Sequence, residues 1–193
     1  MTNQESSPKV IKNVFEQNIK REIVNFLTGE KYEIVGGSDV IFTEEDIRKI
    51  VEICSRPNTY DILFKKKFDG KPYTEENAKS FINFVKEGWE KQTHFVFIIR
   101  KSDSEIIGAI DIKSADLDRA EIGYWTDENY SGFMTNTVNE LLSLAREGGF
   151  KKLFAGVLAR NSKSAGVLER SGFVKIKEDI KDDEAHFEYE RQL

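Results

Sequence analysis

Apolar residues recur along this chain at two periods, and the switches between them mark its elements. Ile11, Phe15, Ile19 and Ile23 recur every four residues, with Val14, Phe26 and Leu27 beside them. Ser7-Pro8 reads as N-cap and first helical residue, and Gly29 as a stop. The spacing therefore predicts an amphipathic helix over Ser7–Leu27, behind a disordered tail Met1–Ser6. Lys31–Phe42 reads as a strand bent at Gly36-Gly37. Thr43-Glu-Glu-Asp46 is a capping box for a helix that turns Ile47, Ile50, Val51 and Cys54 to one side until Pro57 stops it. Asn58–Tyr73 carries no regular period and reads as irregular. Thr74 caps a further helix with Ala78, Phe81, Ile82, Val85 and Trp89 on one face.

The pattern then shortens. His94–Arg100 is an apolar run of buried-strand type, and Glu105–Lys113 pairs with it across the turn Lys101–Ser104. Ala120–Thr126 is a third strand. After it, Met134, Val138, Leu141 and Ala145 mark a helix ended by Gly148-Gly149. Leu153–Ala159 is a strand, a helix starts at Asn161 and ends at Gly172-Phe173, and Val174–Ile180 with Ala185–Arg191 makes a last hairpin. The order gives a mixed α/β (α+β) class around one largely antiparallel sheet. It divides the chain into residues 1–30, tail and helix, and 31–193, a single domain.

Composition narrows the class. A chain of 193 residues can bury a sizeable core, and fourteen Phe, six Tyr and two Trp supply the mass for it. A net charge of −5 argues against a nucleic-acid partner. No apolar run reaches membrane-spanning length, and the polar N-terminus lacks a signal-peptide pattern. A single cysteine, Cys54, leaves no disulfide framework, so a cytoplasmic location is expected. Cys54 lies on an apolar helix face and reads as core. His94 and His186 are far apart without metal-ligand spacing, so no metal is expected. Lys65-Lys66-Lys67 is either a solvated charge cluster or a site for a ligand phosphate.

Two helix entries carry the candidate chemistry. In Tyr130–Thr135, Ser131 can cap a helix beginning at Gly132. The N–H groups of Gly132, Phe133 and Met134 then form an anion site with the helix dipole, and Gly132 admits a pyrophosphate close to the backbone. In Asn161–Ser164, Asn161 is either a plain N-cap or a ligand-facing amide, with Ser164 at the same helix end.

The motifs A-E-I-G-Y-W-x-D, Tyr-x-Gly-(aromatic)-Met-Thr and N-x-x-S-x-x-V-L-E-R-x-G-F together resemble the GNAT acyltransferase superfamily, in its RimJ/RimL-like ribosomal-protein N-terminal acetyltransferase branch. The resemblance runs from about Tyr32 to the C-terminus and is most specific over Asn161–Phe173. It implies acetyl-CoA as cosubstrate and direct attack of an amine on the thioester. The acceptor would be a protein N-terminus or a small amine, and the enzyme a monomer or homodimer.

Carried onto this sequence, the resemblance implies cofactor contacts from Ile122, Tyr124, Trp125, Ser131, Gly132, Phe133, Met134, Thr135, Asn161 and Ser164. A backbone N–H near Tyr124 or Trp125 would stabilise the oxyanion. Glu121 is the candidate base and Ser164 the candidate donor to the leaving thiolate, with Tyr124 and Tyr130 as further acids. The family's cofactor loop, Gln/Arg-x-x-Gly-x-Gly/Ala, is longer than Tyr130–Thr135. Each lost hydrogen bond to a charged phosphate costs about 1.5–3 kcal/mol. The alternative is therefore a non-catalytic module that binds CoA as a sensor or serves as an interaction protein.

Overall fold

The apolar run Phe95–Ile99 is shielded from solvent at every residue and lies near the middle of the sheet. The computed structural model describes residues 13–102, 104–181 and 183–193. In chain order the elements are β1 (Lys20–Val24), β2 (Lys31–Gly36), a 3-10 turn (Gly37–Asp39), α1 (Glu44–Ser55), α2 (Pro57–Leu63), α3 (Glu75–Lys91), β3 (Phe95–Lys101), β4 (Ile106–Ile112), β5 (Ala120–Thr126), α4 (Met134–Glu147), β6 (Lys152–Leu158), α5 (Ser162–Arg170), β7 (Val174–Lys181) and β8 (Glu184–Gln192). The strand order is β1-β2-β3-β4-β5-β6-β8-β7. Every neighbouring pair is antiparallel except β5 and β6. This is the α+β class expected, with five α-helices against the sheet among the described residues. No helix among them is long and apolar enough to cross a membrane.

The amphipathic helix expected over Ser7–Leu27 is not what forms. Its first residues lie outside the described residues, and from Asn13 on the chain is irregular until Lys20–Val24 enters the sheet as β1, antiparallel to β2. A four-residue spacing is an even number, so it satisfies the strand period of two as well as the helical turn. Ile19 and Ile23 thus keep their side chains in the core, 8% and 3% exposed, in extended backbone. Phe15 is buried too, edge-on to Phe95 at 4.7 Å. Phe26 and Leu27, placed beside the expected apolar face, are exposed in the β1–β2 turn.

The caps of the helices after Thr43 and Thr74 are as expected. Asp46 N donates to Thr43 Oγ1 at 3.2 Å while Thr43 N donates to Asp46 Oδ2 at 2.8 Å, and Thr74 makes the same box with Asn77. Pro57 stops α1 but also serves as the first residue of α2, where an irregular segment was expected. The missing N–H that ends one helix costs nothing at the start of the next. Cys54 is buried in the core, and that burial pushes its thiol up to about 12.

One buried ion cluster joins α1 to the exit of β5. Asp127 has no solvent exposure. Its Oδ1 takes Arg56 Nη1 at 2.6 Å and the Asn129 N–H at 2.9 Å, and Lys49 Nζ lies 3.3 Å from Oδ2. Asp127 N donates in turn to Ile107 O at 2.8 Å, which registers the loop against β4. Removing one partner of a buried pair strands the others. Asp127→Ala is therefore expected to destabilise the fold by about 3–5 kcal/mol, read as a lower urea midpoint at unchanged slope. A loss too small to resolve would show that Glu52 and Glu105 compensate both cations.

Candidate active site

β5 and β6 begin as parallel neighbours and then separate. Their register holds only at Ala120↔Leu153 and Glu121↔Phe154, and β6 continues against β8. On its other edge β5 stays paired with β4 to Thr126. Lys113 N donates to Glu121 O, and Asp127 N to Ile107 O. Odd-numbered residues of β5 thus bond to β4; the Ile122 N–H still serves the last pairing to β6, and the Ile122 C=O with the N–H and C=O of Tyr124 turn toward the opening. By the same parity the Trp125 N–H belongs to the β4 ladder, so of the two oxyanion donors expected, Tyr124 is the one facing the gap.

α5 starts beside that opening. Asn161 caps it, its side chain accepting from Ser164 N at 3.2 Å, so the plain capping role is present. Ser164 Oγ lies 2.7 Å from the Tyr124 hydroxyl, which also donates to Ser164 O at 3.3 Å. The structure thus brings Tyr124 and Ser164 together as one hydroxyl pair. Burial pushes the Tyr124 phenol up to about 12, against the Ser164 hydrogen bond and the Arg170 charge, which lower it. Arg170, at the other end of α5, also donates to Thr135 Oγ1 at 3.2 Å. Its hydrogen bond is to the start of α4, and only its charge acts on the hydroxyl pair. Tyr130 is elsewhere: its hydroxyl meets Glu105 and Lys101 at 3.4 Å, away from Ser164.

The loop Tyr130–Thr135 differs from expectation in how it is built. α4 begins at Met134, with Phe133 at the cap position and no side-chain cap, so Ser131 does not cap it. The first backbone bond of the helix is Thr137 N to Phe133 O. The N–H groups of Met134, Thr135 and Asn136 have no acceptor among the described residues. The Phe133 ring is buried edge-on against Tyr32 at 5.3 Å, and its carbonyl is taken by Thr137.

The turn after β1 holds this loop. Asn25, 2% exposed, donates to Ser131 O at 2.7 Å, Phe26 N donates to Gly132 O at 3.0 Å, and Asn136 donates to Val24 O at 2.6 Å. Gly132 has φ +89°, and a Cβ there would collide with Asn25 Oδ1 and reach Leu27 Cγ at 2.7 Å. The glycine is thus required by the β1–β2 turn, where a close phosphate approach was the expected reason. Nothing in the local sequence marks Asn25 for this part, because the contact spans more than a hundred residues.

Strand alternation sends Glu121, Gly123 and Trp125 to one face, with Asp111 and Lys113 of the β4 side across from them. Glu121 is half-exposed and paired with Lys113 at 2.5 Å, apart from the Tyr124–Ser164 pair. The same face floors a cavity of about 580 Å³ walled by Phe64, Phe68, Tyr73, Phe81, Phe84 and Trp125. Lys67 lines this cavity too, 5.5 Å over the Phe68 ring, and Lys65 pairs with Asp61 at 3.1 Å. Asp111 was missed in the sequence; its one signal is a carboxylate interrupting the run I-I-G-A-I-D-I. A larger open cleft of about 1010 Å³ lies by β1, β2 and α1 and contains none of these residues.

The site lies where a mostly antiparallel sheet opens at its single parallel junction, with two helix starts at the opening. The model of the acetyltransferase (GNAT) domain matches residues 41–174, and the chain belongs to that family. It is 36% identical over 110 residues to a probable N-acetyltransferase, YjcK, of Bacillus subtilis (strain 168). That match covers 53% of this chain and 61% of the relative, so the chain spans less than two thirds of the curated relative's length. Among solved structures it is similar to a ribosomal-protein-S5-alanine acetyltransferase from Vibrio fischeri, TM-score 0.67, with 21% identity over 91% of this chain and 97% of that one. It is also similar to a spermidine N-acetyltransferase from Vibrio cholerae in complex with CoA and spermine, TM-score 0.64, with 15% identity over 79% and 93%.

Gly132→Ala adds a side chain at positive φ into the β1–β2 turn. It is expected to cost more than about 1 kcal/mol and to speed amide exchange at Gly132–Asn136. Unchanged exchange there would show that the turn does not hold the loop.

Proposed function

We propose that this chain is an N-acetyltransferase that moves the acetyl group of acetyl-CoA to an amine. One observation carries the reading: the β5–β6 opening, into which the Ile122 C=O and the N–H and C=O of Tyr124 turn past the last β5–β6 pairing while the Tyr124–Ser164 hydroxyl pair sits beside it. Those backbone groups suit the amides of a pantetheine arm. The N–H groups at the start of α4, with Arg170 next to Thr135, suit its phosphates. The Tyr124 N–H is aimed where a thioester oxygen gains charge.

Protonated at all ordinary pH, the buried Tyr124 phenol can pass a proton through Ser164 Oγ to the departing thiolate. Glu121 stays a candidate base, although it must leave Lys113 to serve. The acceptor class follows the two kinds of neighbour, a protein N-terminus or a small amine. A cytoplasmic setting suits a chain whose one cysteine is buried and unpaired.

Calorimetric titration with acetyl-CoA is expected to give saturable heat, and thiol release to require an amine. Absence of heat at millimolar acetyl-CoA would remove the reading. Binding without thiol release across N-terminal peptides and polyamines would leave the sensor module. Tyr124→Phe and Ser164→Ala are each expected to lower kcat by about 100-fold with acetyl-CoA affinity little changed. An equal fall in both affinity and kcat would make the pair a binding element and not a proton path.

A further inference from the structure

The floor of the aromatic cavity holds a polar group that the fold leaves without a full set of partners. Asp111 is the penultimate residue of β4, opposite Gly123 of β5, and its Oδ1 is shielded from solvent with no hydrogen-bond partner. The residue as a whole keeps some exposure, because it lines the cavity. An uncompensated buried carboxylate oxygen is costly, and a native fold that keeps one calls for a partner such as a catalytic substrate, an ion or a water. Gly123 makes the room. A Cβ there would stand 2.9 Å from Asp111 Oδ1 and 2.9 Å from Lys113 Cε. The missing side chain leaves the carboxylate beside the backbone of β5, one residue from Tyr124.

The groups around Asp111 are few. β4 and β5 supply Lys113 and Glu121, which pair with each other, and the segment after α2 supplies Lys67 at the cavity wall. α3 contributes Asn77, Ser80 and aromatic rings, and β3 contributes Val96. The titratable phenols Tyr73 and Tyr124 both stay protonated at neutral pH, since burial raises each. Burial is also the largest influence on Asp111. With Glu121 it outweighs Lys113 and the Gly123 N–H and pushes the carboxyl up to about 6. A carboxylate at the bottom of an aromatic-walled cavity is the chemistry that holds an ammonium on an apolar body.

We propose that Asp111 binds the acceptor's ammonium and takes its proton, so that the acceptor is a cationic primary amine carried on an aromatic or apolar group. The inference rests on the acetyl-transfer reading. One proton passes from nitrogen to the Asp111 carboxylate. The freed lone pair forms the C–N bond at the thioester carbonyl, and the C–S bond breaks. The second nitrogen proton leaves as the thiolate gains one through the Tyr124–Ser164 pair, and Asp111 returns its proton to water. The products are an acetamide and free CoA thiol.

The test uses the full chain with saturating acetyl-CoA and phenethylamine or Ala-Phe-amide as acceptor. Wild-type kcat/KM is expected to rise with pH through about 6. Asp111→Asn is expected to lose this limb and about 100-fold in kcat/KM, with acetyl-CoA affinity unchanged and a Tm at pH 7 no lower than wild type. The Tm sign follows from the raised pKa: ionising a buried Asp111 weakens the fold as pH rises toward 6, and asparagine never ionises. A variant within threefold of wild type and with the same pH limb overturns the inference, as does loss of the limb in Glu121→Gln but not in Asp111→Asn. Wild type that binds acetyl-CoA but releases no thiol removes the acetyl-transfer reading instead. Asp111 is then judged on calorimetric binding of phenethylamine: loss in Asp111→Asn supports the ammonium site, and equal binding overturns it.

Discussion

Separation of β5 from β6 after Glu121 is the constraint on which the rest of the molecule depends. A parallel pair that continued to Thr126 would satisfy the C=O of Ile122 and the N–H and C=O of Tyr124 and close the sheet. Instead β6 turns its ladder to β8, and those groups are left at an edge inside the protein. Everything at the candidate site sits along that edge: the hydroxyl pair, the start of α4, and on the opposite face the cavity floored by Asp111. Unpaired backbone in the middle of a domain is expensive unless a ligand pairs with it, and an extended amide-bearing arm is such a ligand.

Keeping that edge rigid is the work of elements distant in sequence. The Asp127 cluster fastens the end of β5 to α1, so the strand cannot drift toward β6 and close the gap. The β1–β2 turn holds the loop before α4 through Asn25 and Phe26. A short cofactor loop with a single glycine therefore need not position itself. Its carbonyls are already spent on the turn, and its N–H groups are left free to face outward. This offers a physical route by which a loop shorter than the family pattern still presents donors to an anion.

Legibility in the sequence followed the range of the interactions. Both capping boxes, the strand run Phe95–Lys101, the Asn161 cap and the closing hairpin are local, and each was readable from spacing and residue type. Tyr124 and Ser164 were readable as separate candidates through the family motifs, but not as partners, since 40 residues separate them. The β1 segment was misread because Ile19 and Ile23, four residues apart, fit two periods equally. Only pairing with β2 distinguishes them. Asp111 looked like a polar interruption in an apolar strand, and its meaning depends on Gly123 across the ladder.

By itself the sequence determined the order and type of most elements, the caps that start and stop them, and the family to which the chain belongs. These follow from backbone propensity, side-chain period and contiguous motif, all of which act within a few residues. Tertiary structure alone decided which hydroxyls meet, which edge of β5 stays open, what holds the loop before α4, and which carboxylate oxygen is left without a partner at the floor of a cavity. Those outcomes depend on strand register and on contacts across the sheet, and no window along the chain contains both partners.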